Sequence, residues 1–275
     1  MPEGDTIFRA AATLQRALAG HRVERFESVF PALTRVHEDH PFVGATIDRV
    51  HSRGKHLLMQ FSNGFVLRTH MRMNGSWHIY RRGEKWQRPA RDMRVLVATA
   101  DFEAVGFDIP VAEFIKEQSV AKHAVLSRLG PDVLDEAFDR DDALRRLRER
   151  SSSEVSEALL NQQVMAGLGN VYKSEVLFMC RVNPFTTVAS LTADQAECLV
   201  DTGRKLLRLN VSSSLAPMTT YTGYRRTTRR SDPGERLWVY GRGGQPCRRC
   251  GTAIKARKQG TGARLTYWCP RCQPS

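Results

Sequence analysis

No stretch of the 275 residues is apolar for long enough to cross a bilayer, which excludes a helical membrane protein. The opening Met1-Pro2-Glu3-Gly4-Asp5 lacks the basic-then-apolar order of a secretion signal, so the expected location is the cytoplasm, or the nucleoid for a DNA binder. There is no internal repeat. Acid is missing in one place above all: Tyr221 to Ser275 hold 2 Asp/Glu against 13 Lys/Arg, while the first 220 residues hold 27 against 29. The formal charge of +13 therefore sits mainly in the tail. Such a tail suits a polyanion, because each neutralised phosphate releases counterions; a solubilising tail is the plain alternative. Hydrophobic content of 41% and charged content of 26% are those of a globular protein, and the length favours two domains over one.

Apolar residues at helical spacing predict a first helix over Asp5–Ala19, stopped by Gly20 and capped by Asp5 or Thr6. A strand-rich stretch follows from about Arg22 to Phe107. Its clearest unit is a hairpin of Lys55–Ser62 and Phe65–Met71 around Asn63-Gly64, a pair that favours a type I′ turn. Beyond Gly130-Pro131 the pattern turns helical, over Asp141–Arg150, Glu154–Met165, Asn170–Arg181 and Thr192–Asn210. Ser212–Glu235 reads as a linker.

Cys247-x2-Cys250 and Cys269-x2-Cys272 enclose 18 residues and supply four thiolates, the donor set of tetrahedral Zn²⁺. With all four positions taken by protein the metal is structural, and one ion per chain is expected. Ala253–Lys258 and Arg264–Trp268 are expected to form a hairpin between the pairs, with Arg264 near its tip. Disulfides are the rival reading, disfavoured in a reducing compartment. Cys180 and Cys198 are expected to be buried packing residues on helices.

Pro2 becomes a free secondary amine once Met1 is removed. Such an amine attacks an aldehyde-level carbon to give an iminium ion, the electron sink that permits elimination. At a helix start it also feels the positive dipole end, which disfavours its protonated form. Glu3 beside it offers a general acid.

Four segments occur in order: Met1-Pro2-Glu3-Gly4-Asp5, Arg53-Gly54-Lys55-His56-Leu57-Leu58, Ala166-Gly167-Leu168-Gly169-Asn170-Val171-Tyr172-Lys173-Ser174-Glu175, and the four-cysteine module. Together they resemble the formamidopyrimidine-DNA glycosylase/endonuclease VIII family over essentially the whole chain. The resemblance implies an α+β multidomain fold: an N-terminal β-sandwich flanked by helices (1–128), a helix–two-turn–helix DNA-binding domain with linker (129–235) and a zinc finger (236–275). It implies damaged DNA as partner, bound in the cleft between the two halves by a monomer. Ala166–Asn170 would be the turn before a helix whose N–H groups face phosphate.

By the same resemblance Pro2 is the nucleophile at the sugar C1′ and Glu3 the acid at the ring oxygen. Lys55, Asn170 and Arg264 are the phosphate contacts, Lys55 and Arg264 standing with the catalytic group. Arg72, Met73 and Asn74 fill the space left by the extruded base. Two features depart from the family pattern: Asp5-Thr6 replaces a common Pro-Glu, and the cysteine spacing is slightly longer. Thr99–Phe107, read as the second intercalating loop, lacks the Arg-Phe pair of the oxidised-purine branch. That points to oxidised pyrimidines and to the endonuclease VIII branch, with an 8-oxoguanine-preferring enzyme, a non-catalytic damaged-DNA binder and a zinc-ribbon RNA-binding protein as alternatives.

Overall fold

Ile7, Ala10, Ala11, Leu14 and Leu18 recur at helical spacing and wind α1 (Gly4–Leu18), burying this face completely. Each large aliphatic side chain so buried stabilises by roughly 1.5–3 kcal/mol. The helix starts ahead of the expected Asp5 because Glu3 is the cap: its carbonyl accepts from the N–H of Thr6 at 2.9 Å and of Ile7 at 3.1 Å. The computed structural model describes residues 2–211, 225–228 and 232–275, in two compact units that divide after Arg128. Among them no helix is long and apolar enough to cross a membrane.

The first unit continues with β1 (Arg25–Ser28), α2 (Pro31–Asp39), β2 (Ile47–Arg53), β3 (His56–Phe61), β4 (Phe65–His70), β5 (Ser76–Arg81), β6 (Met93–Ala98), β7 (Phe102–Phe107) and β8 (Val111–Lys116). The strands pair antiparallel as two four-stranded sheets, β1-β6-β7-β5 and β2-β3-β4-β8. Val95, Val97 and Ala104 from one sheet share a core with Leu57, Met59 and Leu67 from the other and with α1. This is the expected sandwich.

Details differ. α2 interrupts the strand-rich stretch, entered through Pro31 at its first turn and pinned by the buried Leu33. The β3–β4 hairpin is real, but its turn is not type I′. Gly64 alone takes positive φ, at +79°, and its N–H bonds the Phe61 carbonyl at 3.0 Å. Ser62, Asn63 and Gly64 form a three-residue loop ending in a left-handed glycine.

The second unit holds α3 (Arg140–Arg148), α4 (Val155–Leu160), α5 (Asn170–Met179), α6 (Ala193–Val211) and the hairpin β9 (Lys255–Gln259) and β10 (Arg264–Trp268). α4 stops well short of the expected Met165. The Asn161 side chain accepts from Gln163 N at 2.9 Å and its carbonyl from Val164 N at 2.9 Å, so a turn replaces the helix. α5 is buried from Asn170 to Phe178 on every face, and its Phe178 enters the core of the cysteine module with Val239, Ile254 and Cys269. Cys180 and Cys198 are not buried packing thiols: both are half-buried and joined as a disulfide that ties the end of α5 to α6. Their separation of 18 residues spans a loop and a helix turn, so proximity was invisible to spacing. Most of the expected linker 212–235 lies outside the described residues.

Candidate functional site

α1 sets the first group of residues. Pro2 stands just outside the helix, half-buried, and Glu3 is its fully buried cap. The Glu3 side chain makes no capping hydrogen bond to the helix that its residue opens. Asp5 is likewise fully buried within the first turn, hydrogen-bonded by Thr6 Oγ1 at 3.4 Å and facing Arg9 at 3.9 Å. The departure at Asp5-Thr6 thus still leaves a second carboxylate in the first turn of the helix.

Lys55 occupies the two-residue turn between β2 and β3, where Arg53 pairs with His56. The next turn on the same sheet edge runs from Met71 to Gly75, closed by Gly75 N to Met71 O at 2.9 Å. A Cβ on Gly75 would lie 2.6 Å from that oxygen, so only glycine permits the closure. Met71 is buried, whereas Arg72, Met73 and Asn74 are exposed, Met73 to 51%. Met73 is therefore not folded into the core.

His70 is a residue that sequence reasoning missed. Its Nδ1 accepts from Arg72 N at 3.0 Å and so fixes the loop. Burial, then the charges of Lys55, Arg68 and Arg72, push its pKa down to about 4, which keeps the acceptor form at neutral pH. Lys55 and the loop thus meet electrostatically at His70. Thr99–Phe107 is not a second loop: residues 99–101 make a tight turn and the rest is β7. The connection beside Gly75 is Asp108–Pro110, which contains no arginine and whose Ile109 is buried.

In the second unit Gly169 caps α5 and Asn170 opens it. The preceding loop is organised by Gln162, another residue not anticipated. Its Nε2 donates to the carbonyls of Leu160 and Leu168, each at 2.9 Å, and its Oε1 accepts from Gly167 N at 3.0 Å. Asn170 is 6% exposed and donates from Nδ2 to the Leu265 carbonyl at 2.9 Å. Arg264, exposed, begins β10 opposite Gln259. Asn170 and Arg264 are thereby brought to one place, while Pro2, Glu3, Lys55 and residues 72–74 belong to the first unit.

The four predicted metal ligands converge. All four sulfurs lie within 4.8 Å of one another, with Cys247–Cys272 at 4.0 Å and Cys250–Cys269 at 3.4 Å. Tetrahedral Zn²⁺ with bonds of about 2.3 Å spaces its sulfurs by roughly 3.8 Å, so the donor set fits a closed structural site. Burial and neighbouring thiols push Cys272 up to about 12, a crowding that a cation relieves. Gln273 ties this module back to the helices, accepting from Cys269 N at 3.0 Å and donating to the Val182 carbonyl at 2.8 Å. Glu175 does the same from α5. Its buried carboxylate accepts from the N–H groups of Trp238, Val239 and Tyr240 at 2.8–2.9 Å and from the Thr227 hydroxyl. Burial still raises its pKa, against these donors.

Comparison with known proteins gives matches along the whole chain. Residues 1–108 match the formamidopyrimidine-DNA glycosylase N-terminal domain, 129–220 the formamidopyrimidine-DNA glycosylase H2TH domain, and 244–274 the zinc finger found in FPG and IleRS. "Probable endonuclease 8 2" of Streptomyces coelicolor is 40% identical over 276 residues, covering 99% of this chain and 94% of that protein. "DNA-(apurinic or apyrimidinic site) lyase Nei2" of Mycolicibacterium smegmatis is 37% identical, with 99% of both chains covered. A solved structure of Lactococcus lactis Fpg with abasic-site DNA superposes with a TM-score of 0.83 at 25% identity, covering 100% of both chains.

Proposed function

This chain belongs to the formamidopyrimidine-DNA glycosylase/endonuclease VIII family, and from that premise we propose that it excises oxidised bases and cleaves the resulting abasic site through the amine of Pro2. The observation that carries the reading is the start of α1, where Pro2 directly precedes a carboxylate, Glu3, that the fold buries completely.

With Met1 removed, the Pro2 nitrogen attacks C1′. The glycosidic electron pair leaves with the base, which takes up a proton, while Glu3 protonates the ring oxygen and opens the sugar. The iminium then joins Pro2 to C1′. Loss of the C2′ proton sends electrons into the iminium and expels the 3′ phosphate. Loss of the C4′ proton expels the 5′ phosphate.

Lys55 and Arg264 hold phosphates by charge, and the second Nδ2 hydrogen of Asn170 serves the same end, the first being committed to Leu265. Arg72, Met73 and Asn74 occupy the gap left by the extruded nucleotide. Zn²⁺ on Cys247, Cys250, Cys269 and Cys272 supplies structure rather than chemistry. The preferred lesions are oxidised pyrimidines, whose non-planar rings leave the stack easily, because the Asp108–Pro110 connection beside the exposed loop carries no arginine to read the opposite base.

Borohydride added with abasic-site DNA should trap a covalent adduct on mature protein, located at Pro2 by peptide mass. Equal trapping by protein that retains Met1 would overturn the assignment.

A further inference from the structure

We propose that Lys173 is a positioning residue that locks the hairpin bearing Arg264 onto the two helices behind it. The inference rests on the proposed contact of Arg264 with phosphate. Lys173 lies three residues after Asn170, on the same face of α5, and is 1% exposed. A buried ammonium is costly unless its hydrogen bonds are made, so a lysine here calls for a reason beyond filling space.

Its Nζ donates to Thr266 Oγ1 at 2.6 Å. An ammonium has no lone pair, so the hydroxyl must accept from it and pass its own proton onward, to Gln259 Oε1 at 2.7 Å. That fixes the Gln259 amide, whose Nε2 donates to Glu154 Oε2 at 2.6 Å and to the Pro184 carbonyl at 3.0 Å. The chain runs in one direction, from a cation on α5 through both strands of the hairpin to the carboxylate of Glu154, the residue just before α4.

Arg264 sits among these anchored residues. Gln259 is its cross-strand partner, Leu265 follows it with its carbonyl held by Asn170, and Thr266 comes next. Of the four cysteines that would hold the metal, Cys269 alone directly adjoins the hairpin, roughly 15 Å of extended strand from Arg264. Zinc there would fix the base, and the Lys173 chain fixes the end that carries the guanidinium.

The test uses zinc-loaded, full-length protein, duplex DNA with a tetrahydrofuran abasic analogue, and fluorescence anisotropy over a salt series. Arg264→Ala should weaken binding about tenfold and lower the salt slope by about one unit. Thr266→Val should do nearly the same at full zinc content, and Thr266→Ser should stay within about twofold of the parent. Thr266→Val added to Arg264→Ala should weaken binding by less than about twofold, because both remove one interaction.

Parental binding by Thr266→Val, beside a weakened Arg264→Ala, overturns the inference and leaves the phosphate contact standing. An equal loss from Thr266→Val with and without Arg264 overturns it too. Parental binding by Arg264→Ala overturns the contact itself. Should Thr266→Val lose zinc, Gln259→Leu breaks the chain one link later and is judged by the same criteria.

Discussion

Asn170 donates from its side-chain amide to the backbone carbonyl of Leu265, 95 residues further along, at 2.9 Å. The first residue of α5 and the strand that carries Arg264 are thus a single construction. The four-cysteine module is part of it, since Gln273 and Glu175 bind it to the same helices. Loss of the metal should reach both residues.

One Zn²⁺ per chain is expected by metal analysis. Metal binding supplies roughly 10–16 kcal/mol in small zinc modules, so Cys269→Ala should unfold the hairpin locally. DNA affinity should then fall further than in Arg264→Ala, because Asn170 loses its partner as well. Full affinity in metal-free protein would contradict this.

Glu3→Gln should divide the two reactions. Base removal needs the sugar ring opened by an acid, whereas a preformed abasic site already opens by itself. Single-turnover excision should drop by about a hundredfold or more, within the range of lost acid catalysis, and cleavage at a preformed abasic site by far less. Equal losses in both would remove Glu3 from the acid role.

The exposed loop of Arg72, Met73 and Asn74 predicts lesion behaviour. Thymine glycol or dihydrouracil should be excised faster than 8-oxoguanine opposite cytosine, with little dependence on the opposite base. Met73→Ala should slow excision from duplex more than from single strands, where no gap needs filling. Side-by-side single-turnover rates decide; faster removal of 8-oxoguanine would place the chain in the other branch.

How far the sequence reached depends on how local each feature is. The existence of the β3–β4 hairpin, though not its turn type, the Gly169–Asn170 helix start and the cysteine pairs rest on neighbours a few residues apart, and these are as expected. The end of α4 escaped because side chains of Asn161 and Gln162 outcompete helix propensity there. The Cys180–Cys198 bond, the hold of His70 on Arg72 and the link from Lys173 to Thr266 depend on tertiary placement. Periodicity carries no trace of them.

Stability should depend on pH in a window set by histidines. Burial, foremost, lowers His51, His70 and His78 to about 4 and His56 to about 2. The fold favours their neutral forms, so the stabilisation is complete above the unfolded value near 6.5 and drains as pH falls toward 4. Urea midpoints should match at pH 7.5 and 8.5 and drop by pH 5, above the main carboxylate range. His56→Leu, which removes a buried Nδ1 without a partner among the described residues, should shrink that drop. Identical midpoints at pH 7.5 and 5 would refute the reading.

The burial of α5 also has a consequence in time. Asn170, Lys173 and Glu175 find partners at Leu265, Thr266 and Trp238–Tyr240, all made later on the ribosome. Translation at 5–20 residues per second separates Lys173 from Thr266 by roughly 5–20 s. For that interval a helix destined for the interior lacks the Thr266 hydroxyl and the backbone N–H groups of residues 238–240 that receive its lysine and glutamate. The nascent chain must keep α5 wet, and the second unit closes only when its last forty or so residues arrive. A message truncated before the cysteine module therefore yields no smaller working protein, only a helix bundle stripped of the partners that Asn170, Lys173 and Glu175 take from that module and the residues just before it.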